Sequence, residues 1–227
     1  MVSETITAVK NDEKELKLIK RGQHYEIISN GIFLMATYGG NSEREMVEDG
    51  LFYVSQFKLK DIKVLIAGLG VGYSLIPAVK DDRVSKLDVV EMEQEIIDWN
   101  KKYFSKYNEN CLENEKVTVI QDDIYNYLKN NAELGHDYYD LIILDVDNGP
   151  DWLVREDNKR LYQKQGMELV SKSLNQGGYV AIWSMEEKSS LENSLLACYS
   201  QVFIREYLSY DDKGRKHKDS VYFAQKN

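Results

Sequence analysis

Apolar and polar positions alternate in blocks from about residue 61 onward, and the blocks have the lengths of strands and helices. Short apolar runs of this kind are typical of strands buried in a parallel sheet. They predict strands at 63–67, 86–90, 117–120, 140–144 and 178–183. The segments between them predict helices at about 72–80, 93–106, 123–132 and 159–173. Such alternation indicates βαβ units and therefore a parallel sheet.

The beginning of the chain has a different pattern, which is typical of antiparallel strands. Three apolar runs occur at 16–20, 25–28 and 32–36. Asn30-Gly31 separates the last two, and this dipeptide favours a hairpin because both residues tolerate positive φ. We therefore expect residues 1–41 to form a small antiparallel β domain, followed by a second domain at 42–227.

The second domain is expected to begin with a helix and to end with a hairpin. Ser42 and Glu45 have the spacing of a capping box, which predicts a helix over about 43–58. After the last parallel strand, the pattern predicts a helix near 186–199 and strand-like runs at 202–207 and 220–224. The latter two indicate an antiparallel hairpin added to the parallel sheet.

Three glycines at alternate positions follow the first strand of the second domain: Gly68, Gly70 and Gly72. Glycine allows a tight turn and a close approach of the backbone to a ligand. Glu91 ends the next strand, where nucleotide-binding α/β folds hold ribose hydroxyls. The arrangement predicts an adenosine-containing cofactor, although Glu93 lies close enough for the register to differ by two residues.

Acidic residues follow two further strands. Asp122 and Asp123 come after the third strand, where a carboxylate is placed to accept a hydrogen bond from an adenine amino group. Asp123 also fits the N-cap of the next helix, and the two roles are compatible. Asp145 and Asp147 follow the fourth strand, at the edge where open α/β sheets bind ligands. Asp145 is our candidate for a general base that deprotonates or orients an attacking amine.

The loop after these acids supplies further candidates for substrate binding. Asp147, Asn148 and Trp152 are the side chains that we single out there. A structural role is the alternative for each, because acids often cap loops and tryptophans more often belong to a core.

Composition narrows the class of protein. The chain has 227 residues, of which 43% are hydrophobic, and its net charge is −9. An acidic chain argues against nucleic acid as a substrate and suits a cationic substrate such as an amine. The two cysteines and three histidines are scattered, so we expect no metal site. Because no long apolar stretch and no secretory signal occur, we expect a cytoplasmic protein that does not cross a membrane.

Together these motifs resemble the spermidine synthase family of aminopropyltransferases, within the larger class of S-adenosylmethionine-dependent methyltransferase folds. The resemblance implies an α/β, Rossmann-like class I methyltransferase fold. In this fold a seven-stranded mixed sheet ends in a C-terminal antiparallel hairpin, beside the small N-terminal antiparallel β domain. It also implies a homodimer.

The resemblance assigns roles to residues that match the family's motifs. It implies that the three glycines line the cofactor, that Glu91 holds the ribose and that Asp123 contacts the adenine. Asp145 matches the general base, and the second acid of that loop falls near Asp147 or Asn148. Two positions depart from the family: Val71 replaces the acid of the glycine loop, and residues 42–46 lack the usual Tyr-His-Glu.

We therefore expect a transferase that alkylates an amine with decarboxylated S-adenosylmethionine or S-adenosylmethionine. Aminopropyl transfer in polyamine metabolism is the first expectation. The first alternative is an S-adenosylmethionine-dependent methyltransferase, which Val71 favours because a methionine carboxylate would meet no negative side chain there. The second alternative is a protein that binds an adenosine cofactor without catalysis.

Overall fold

The chain folds around two sheets, a four-stranded antiparallel one and a seven-stranded mixed one. The computed structural model describes residues 3–11, 14–135, 138–149, 152–153, 155–211 and 213–227. The small sheet has the order β1-β2-β3-β4, with strands Ser3–Lys10, Glu15–Arg21, His24–Ser29 and Ile32–Ala36. Each of its strands pairs antiparallel with its neighbour in sequence.

The large sheet has the order β10-β11-β9-β8-β5-β6-β7. Its strands are β5 Ile62–Ala67, β6 Val84–Glu91, β7 Val117–Gln121, β8 Tyr139–Leu144, β9 Leu174–Ser184, β10 Gln201–Tyr210 and β11 Lys216–Gln225. Strands β5 to β9 pair in parallel, whereas β11 pairs antiparallel with both β9 and β10. The sequence-based prediction of a mixed seven-stranded sheet with a C-terminal hairpin is therefore confirmed.

Helices cover both faces of the large sheet. They are α1 Asn41–Ser55, α2 Leu75–Lys80, α3 Gln94–Trp99, α4 Ile124–Leu134, α5 Lys159–Tyr162, α6 Lys164–Ser173 and α7 Ser189–Leu196. A π-helical turn at Asn100–Phe104 continues α3, and short 3₁₀ turns occur at Cys111–Glu113 and Glu156–Asn158. Among the described residues, no helix has the length and apolarity needed to cross a bilayer.

Alternating side chains of each central strand divide the core into two layers. Val64 and Ile66 of β5 pack in the layer that contains α1, α2, α3 and the small sheet. Leu65 and Ala67 pack in the layer that contains α4, α6 and α7. The near-continuous apolar runs of the sequence arise because these strands are covered on both faces.

The structure corrects the predicted start of α1. The helix begins at Asn41 behind Gly40, which has φ 78°, and no side chain caps it. The capping box of Ser42 and Glu45 is therefore wrong. A Cβ on Gly40 would lie 1.9 Å from the Tyr73 ring, so close packing places a glycine at this end. The Ser42 hydroxyl instead accepts a hydrogen bond from Trp183 Nε1 at 3.1 Å.

Two smaller differences concern the first strand of the small sheet and the helix predicted at 159–173. The small sheet contains β1, Ser3–Lys10, which pairs with β2. The helix predicted at 159–173 is divided into α5 and α6 at Gln163, whose ψ of 164° is extended. Both changes leave the carboxyl edge of the large sheet as expected.

Candidate active site

A cavity of about 710 Å³ lies between the small sheet and the carboxyl edge of the large sheet. The small sheet contributes an apolar wall that includes Ile27, Leu34 and Met35. The large sheet contributes the loops after β5, β6, β7 and β8. This position agrees with the general location of ligand sites in open α/β sheets.

Two of the three glycines of the loop after β5 line the cavity. Gly68 has φ 90°, and a Cβ there would lie 2.1 Å from the Asp145 carbonyl oxygen. Gly70 has φ 50°, and a Cβ there would lie 2.6 Å from Met35 Sδ. Gly72 also has positive φ, but it packs against Asn100 and Asn108 outside the lining residues. Gly68 and Gly70 thus shape the cavity, and Gly72 shapes the turn behind it.

Val71, where the resemblance leads us to expect an acid, is completely buried in the core. Its backbone N–H donates to Met35 Sδ at 3.1 Å. The Val71 side chain is absent from the lining of the cavity. Position 71 therefore contributes neither a charge nor an apolar surface to the cavity.

Glu91 ends β6 and lies in the wall beside the glycine loop. Its carboxylate accepts hydrogen bonds from the backbone N–H of Leu69 at 2.9 Å and of Glu93 at 2.8 Å. Burial raises the pKa of Glu91, and these backbone donors oppose the rise. The two bonds fix the carboxylate against the glycine loop. Glu93, the alternative by register, is held in an ion pair with Lys14.

The two acids after β7 have separate environments. Asp123 is the N-cap of α4, where its Oδ1 accepts from Asn126 N–H at 2.9 Å and from Arg160 at 2.8 Å. The predicted capping role is therefore confirmed. Asp122 accepts a hydrogen bond from the N–H of Asp123 at 2.8 Å, and its side chain is partly exposed in the cavity wall.

Asp145 follows β8 and lines the cavity beside the glycine loop, where its backbone N–H donates to the Ala67 carbonyl oxygen at 2.9 Å. Its Oδ2 accepts a hydrogen bond from the Ser74 hydroxyl at 3.1 Å. Burial raises the pKa of Asp145 to about 8, the charges of Glu43 and Asp219 raise it further, and the Ser74 bond opposes the rise. A carboxyl that titrates near neutral pH is suited to proton transfer.

Glu43 and Asp219 complete a group of carboxylates that sequence reasoning missed. Both line the cavity, and Glu43 accepts a hydrogen bond from Ser42 at 2.9 Å. Burial raises the pKa of Glu43, and the charge of Asp219 adds to the rise. Asp219 is 3% exposed in β11 and accepts a bond from Ser209. Asp219 follows Lys216, His217 and Lys218, one residue before the strand predicted at 220–224, so the local pattern gave no signal for it.

For clarity we name two parts of the cavity. The glycine end comprises Gly68, Gly70, Glu91 and Asp122, and the acidic end comprises Glu43, Asp145 and Asp219. Ion pairs with lysine or arginine are absent from the acidic end, as far as the described residues extend. A bound cation would favour the charged form of these carboxylates, so the acidic end is suited to a cationic ligand.

The other predicted substrate contacts lie in different positions. The buried Asp147 carboxylate accepts hydrogen bonds from Asn158 at 2.9 and 3.0 Å and from the Tyr162 hydroxyl at 2.9 Å. Asn148 lines the cavity and donates to the Phe33 carbonyl oxygen at 3.3 Å. Trp152 is exposed and lines a separate depression with Ile32. Pro150, between them, lies outside the described residues.

Metal ligands of the required grouping are not found in the part of the chain that the structure describes. His24 packs edge-on against Tyr38, and His217 lies 3.6 Å from Asp219. His136 lies outside the described residues. Carboxylates are prominent among the ionisable groups that line the cavity.

Relatives with curated functions match about half of this chain. Putrescine N-methyltransferase 1 of Nicotiana tabacum is 32% identical over 120 residues, which are 52% of this chain and 29% of that protein. A polyamine aminopropyltransferase of Saccharolobus islandicus is 30% identical over 129 residues, which are 57% of this chain and 40% of that protein. The matched segments thus span less than half the length of these relatives.

Solved structures match over nearly the whole chain and share the fold. A spermidine synthase in complex with the transition-state analogue AdoDATO superimposes with a TM-score of 0.78 at 16% identity, covering 98% of this chain and 74% of that one. The spermidine synthase of Thermotoga maritima gives a TM-score of 0.73 at 14% identity, covering 98% and 72%. The model of the spermine/spermidine synthase domain matches residues 45–212. The chain therefore belongs to the spermine/spermidine synthase domain family.

Proposed function

We propose that this protein alkylates an amine with an adenosyl sulfonium compound, and that aminopropyl transfer from decarboxylated S-adenosylmethionine is its reaction. The observation that carries the proposal is the position of Asp145, inside a group of three carboxylates that line the same cavity as the glycine loop. Family membership and the named relatives support the same class of reaction.

The glycine end suits the adenosyl part of such a compound. Gly68 and Gly70 line the cavity, and a side chain at either would collide with the Asp145 carbonyl oxygen or with Met35, so glycine is needed to form this loop. Glu91 is fixed by two backbone donors, which leaves carboxylate lone pairs to accept hydrogen bonds from ribose hydroxyls. Asp122 is better placed than Asp123 for the adenine amino group, because the cap and Arg160 occupy the Asp123 carboxylate.

The acidic end suits the reacting amine. A protonated amine has no free lone pair, so the ionised form of Asp145 first accepts that proton. The nitrogen lone pair then forms the C–N bond, while the C–S bond breaks and its electron pair stays on sulfur. A bound sulfonium supplies an already activated carbon, and the protein supplies orientation and proton removal. Glu43 and Asp219 balance the two positive charges that meet there.

Aminopropyl transfer is favoured over methyl transfer by the charge of the cavity. The acidic end would repel the carboxylate of S-adenosylmethionine, and decarboxylated S-adenosylmethionine has no carboxylate. Methyl transfer is the second candidate, because position 71 carries no acid and because putrescine N-methyltransferases are among the relatives. The cytoplasmic location and the homodimer expected from the sequence stay predictions.

Product analysis tests the proposal. The protein is incubated with each cofactor and a panel that contains 1,4-diaminobutane and several monoamines. We expect methylthioadenosine from the decarboxylated cofactor. Formation of S-adenosylhomocysteine from S-adenosylmethionine instead establishes the methyl transfer candidate. Binding of a cofactor by calorimetry without any product supports the non-catalytic alternative, and no binding of either cofactor overturns the whole proposal.

A further inference from the structure

Two buried asparagines, Asn100 and Asn108, bind the glycine loop after β5 on the side that faces away from the cavity. Asn100 Nδ2 donates to the Gly70 carbonyl oxygen at 2.8 Å and to the Ile96 carbonyl oxygen at 2.9 Å. Asn100 Oδ1 accepts a hydrogen bond from Asn108 Nδ2 at 2.9 Å. Asn108 Nδ2 also donates to the Val71 carbonyl oxygen at 3.4 Å. We call these two side chains the amide pair.

The amide pair lies in an apolar layer, away from solvent. Asn100 and Asn108 are completely buried, and neither lines the cavity. Ile96, Trp99 and Phe104, from the same helix and turn, belong to the apolar core of this layer. A buried amide costs free energy unless it is hydrogen-bonded, and Asn108 Oδ1 has no partner among the described residues. Apolar side chains would fill this space at a lower cost, so packing alone does not account for the pair.

The π-helical turn that follows α3 places Asn100 against the loop. This turn spans Asn100–Phe104, and π-helical turns are rare but frequent at functional sites. Gly72 leaves space for both amides, because a Cβ there would lie 3.1 Å from Asn100 Oδ1 and 3.0 Å from Asn108 Cβ. The glycine loop and the turn are therefore closely fitted to each other.

The loop needs such a restraint because glycine permits more than one orientation of a peptide group. The three glycines have positive φ, which glycine adopts about as readily as negative φ. In a planar trans peptide the C=O and the N–H point in opposite directions. The bond from Asn100 directs the Gly70 carbonyl away from the cavity. The Val71 N–H of the same peptide therefore points to Met35, which lines the cavity.

We propose that Asn100 is a positioning residue for the donor site, because its amide selects one orientation of the Gly70–Val71 peptide and preorganises the glycine loop for the adenosyl compound. This inference rests on the proposed function and adds to it a residue that lies outside the cavity. Without this amide, the loop also samples orientations in which the Gly70 carbonyl turns toward the cavity. The apparent affinity for the donor then falls by the fraction of molecules that keep the ordered loop.

The first test is N100A, which removes the side-chain amide. We expect the Kd of decarboxylated S-adenosylmethionine or S-adenosylmethionine, whichever the wild-type protein binds, to rise at least about tenfold in calorimetry. At saturating donor, kcat and the KM of the amine are expected to stay within about threefold, because the acidic end is unchanged. Hydrogen exchange of the amides of residues 68–73 is expected to become faster in the protein without ligands.

A matched control separates the loop from general loss of stability. Asn131 is a buried asparagine of α4 that lies outside the lining of the cavity. N131A is therefore expected to lower Tm, as N100A does, and to retain the wild-type Kd of the donor.

A second variant, N100L/N108A, separates positioning from stability. It removes both amides while nearly conserving their total volume, so that neither is left without its partner. We expect a higher Tm than that of N100A, whereas the Kd of the donor stays at least about tenfold above the wild-type value.

The outcomes distinguish this inference from the function on which it rests. If N100A changes neither the Kd of the donor nor the exchange of the loop amides, the inference is overturned and amine alkylation stands. A donor affinity that recovers together with Tm in N100L/N108A also overturns it, as does an equal loss of affinity in N131A, because stability alone would explain both. If the wild-type protein binds neither adenosyl compound, the proposed function fails and the role of Asn100 in donor binding fails with it.

Discussion

The glycine end and the acidic end of the cavity differ in how the chain builds them. The residues of the glycine end lie between positions 68 and 122, at the ends of three adjacent strands in the sheet. The acidic end combines residues 43, 145 and 219, from α1, the loop after β8, and β11. One end is therefore readable as a motif, whereas the other exists only after folding.

The two ends also differ in how their carboxylates are compensated. Backbone N–H groups bind Glu91 on both oxygens. At the acidic end, hydroxyl groups bind Asp145 and Glu43, and burial, together with neighbouring negative charges, raises the pKa of both. A carboxylate that backbone donors fix is suited to orientation, and one that negative neighbours surround is suited to proton transfer.

The largest expected effect follows from D145N. This change keeps the shape of the side chain but removes the base, so we expect kcat to fall by a factor of the order of 10²–10⁴. Cofactor affinity, measured by calorimetry, is expected to stay within about threefold. D98N, which changes an exposed acid of α3, is the control. Full activity of D145N would show that Asp145 is not the base and that the acidic end does not carry out proton transfer.

A smaller effect of the opposite kind is expected from E91Q. An amide presents one acceptor oxygen in place of two and has no charge, so we expect cofactor affinity to fall roughly 10- to 100-fold. At saturating cofactor, kcat is expected to change little. The measurement is calorimetry combined with kinetics, and E115Q on the surface is the control. A loss of kcat without a loss of affinity would contradict the assignment.

The smallest effects concern the pH dependence at the acidic end. Because Asp145 must be deprotonated to act as a base, kcat/KM for the amine should rise with pH through a midpoint near 8 and level off above it. E43Q removes a negative charge, lowers the pKa of Asp145 and shifts this rise to lower pH. S74A removes a hydrogen bond to the charged form, raises that pKa and shifts the rise to higher pH.

Each of these shifts is expected to be about one pH unit or less. The profile of kcat/KM against pH for the three proteins is the measurement, with S194A as a surface control for the serine change. Shifts in the same direction for E43Q and S74A would refute the electrostatic account of Asp145.

Much of the fold follows from local patterns in the sequence. The apolar runs predicted β5 to β9, because strands covered on both faces carry apolar side chains at nearly every position. Boundaries were less accurate where tertiary contacts decide them. Gly40 directly precedes α1, and the Tyr73 ring leaves no space for a side chain at this position. Gln163 has an extended backbone and therefore separates α5 from α6.

The sequence by itself predicted which motif follows each strand, and it predicted the glycine end, because the strand, the glycine turn and the terminal acid follow one another along the chain. It also predicted Asp145, since this residue directly follows a buried strand. Only the tertiary structure decided the acidic end. Its members come from elements far apart in sequence, and their charges act together only when packing brings them to one cavity. A local sequence pattern contains no information on which distant residues become neighbours, because the packing of the fold determines this.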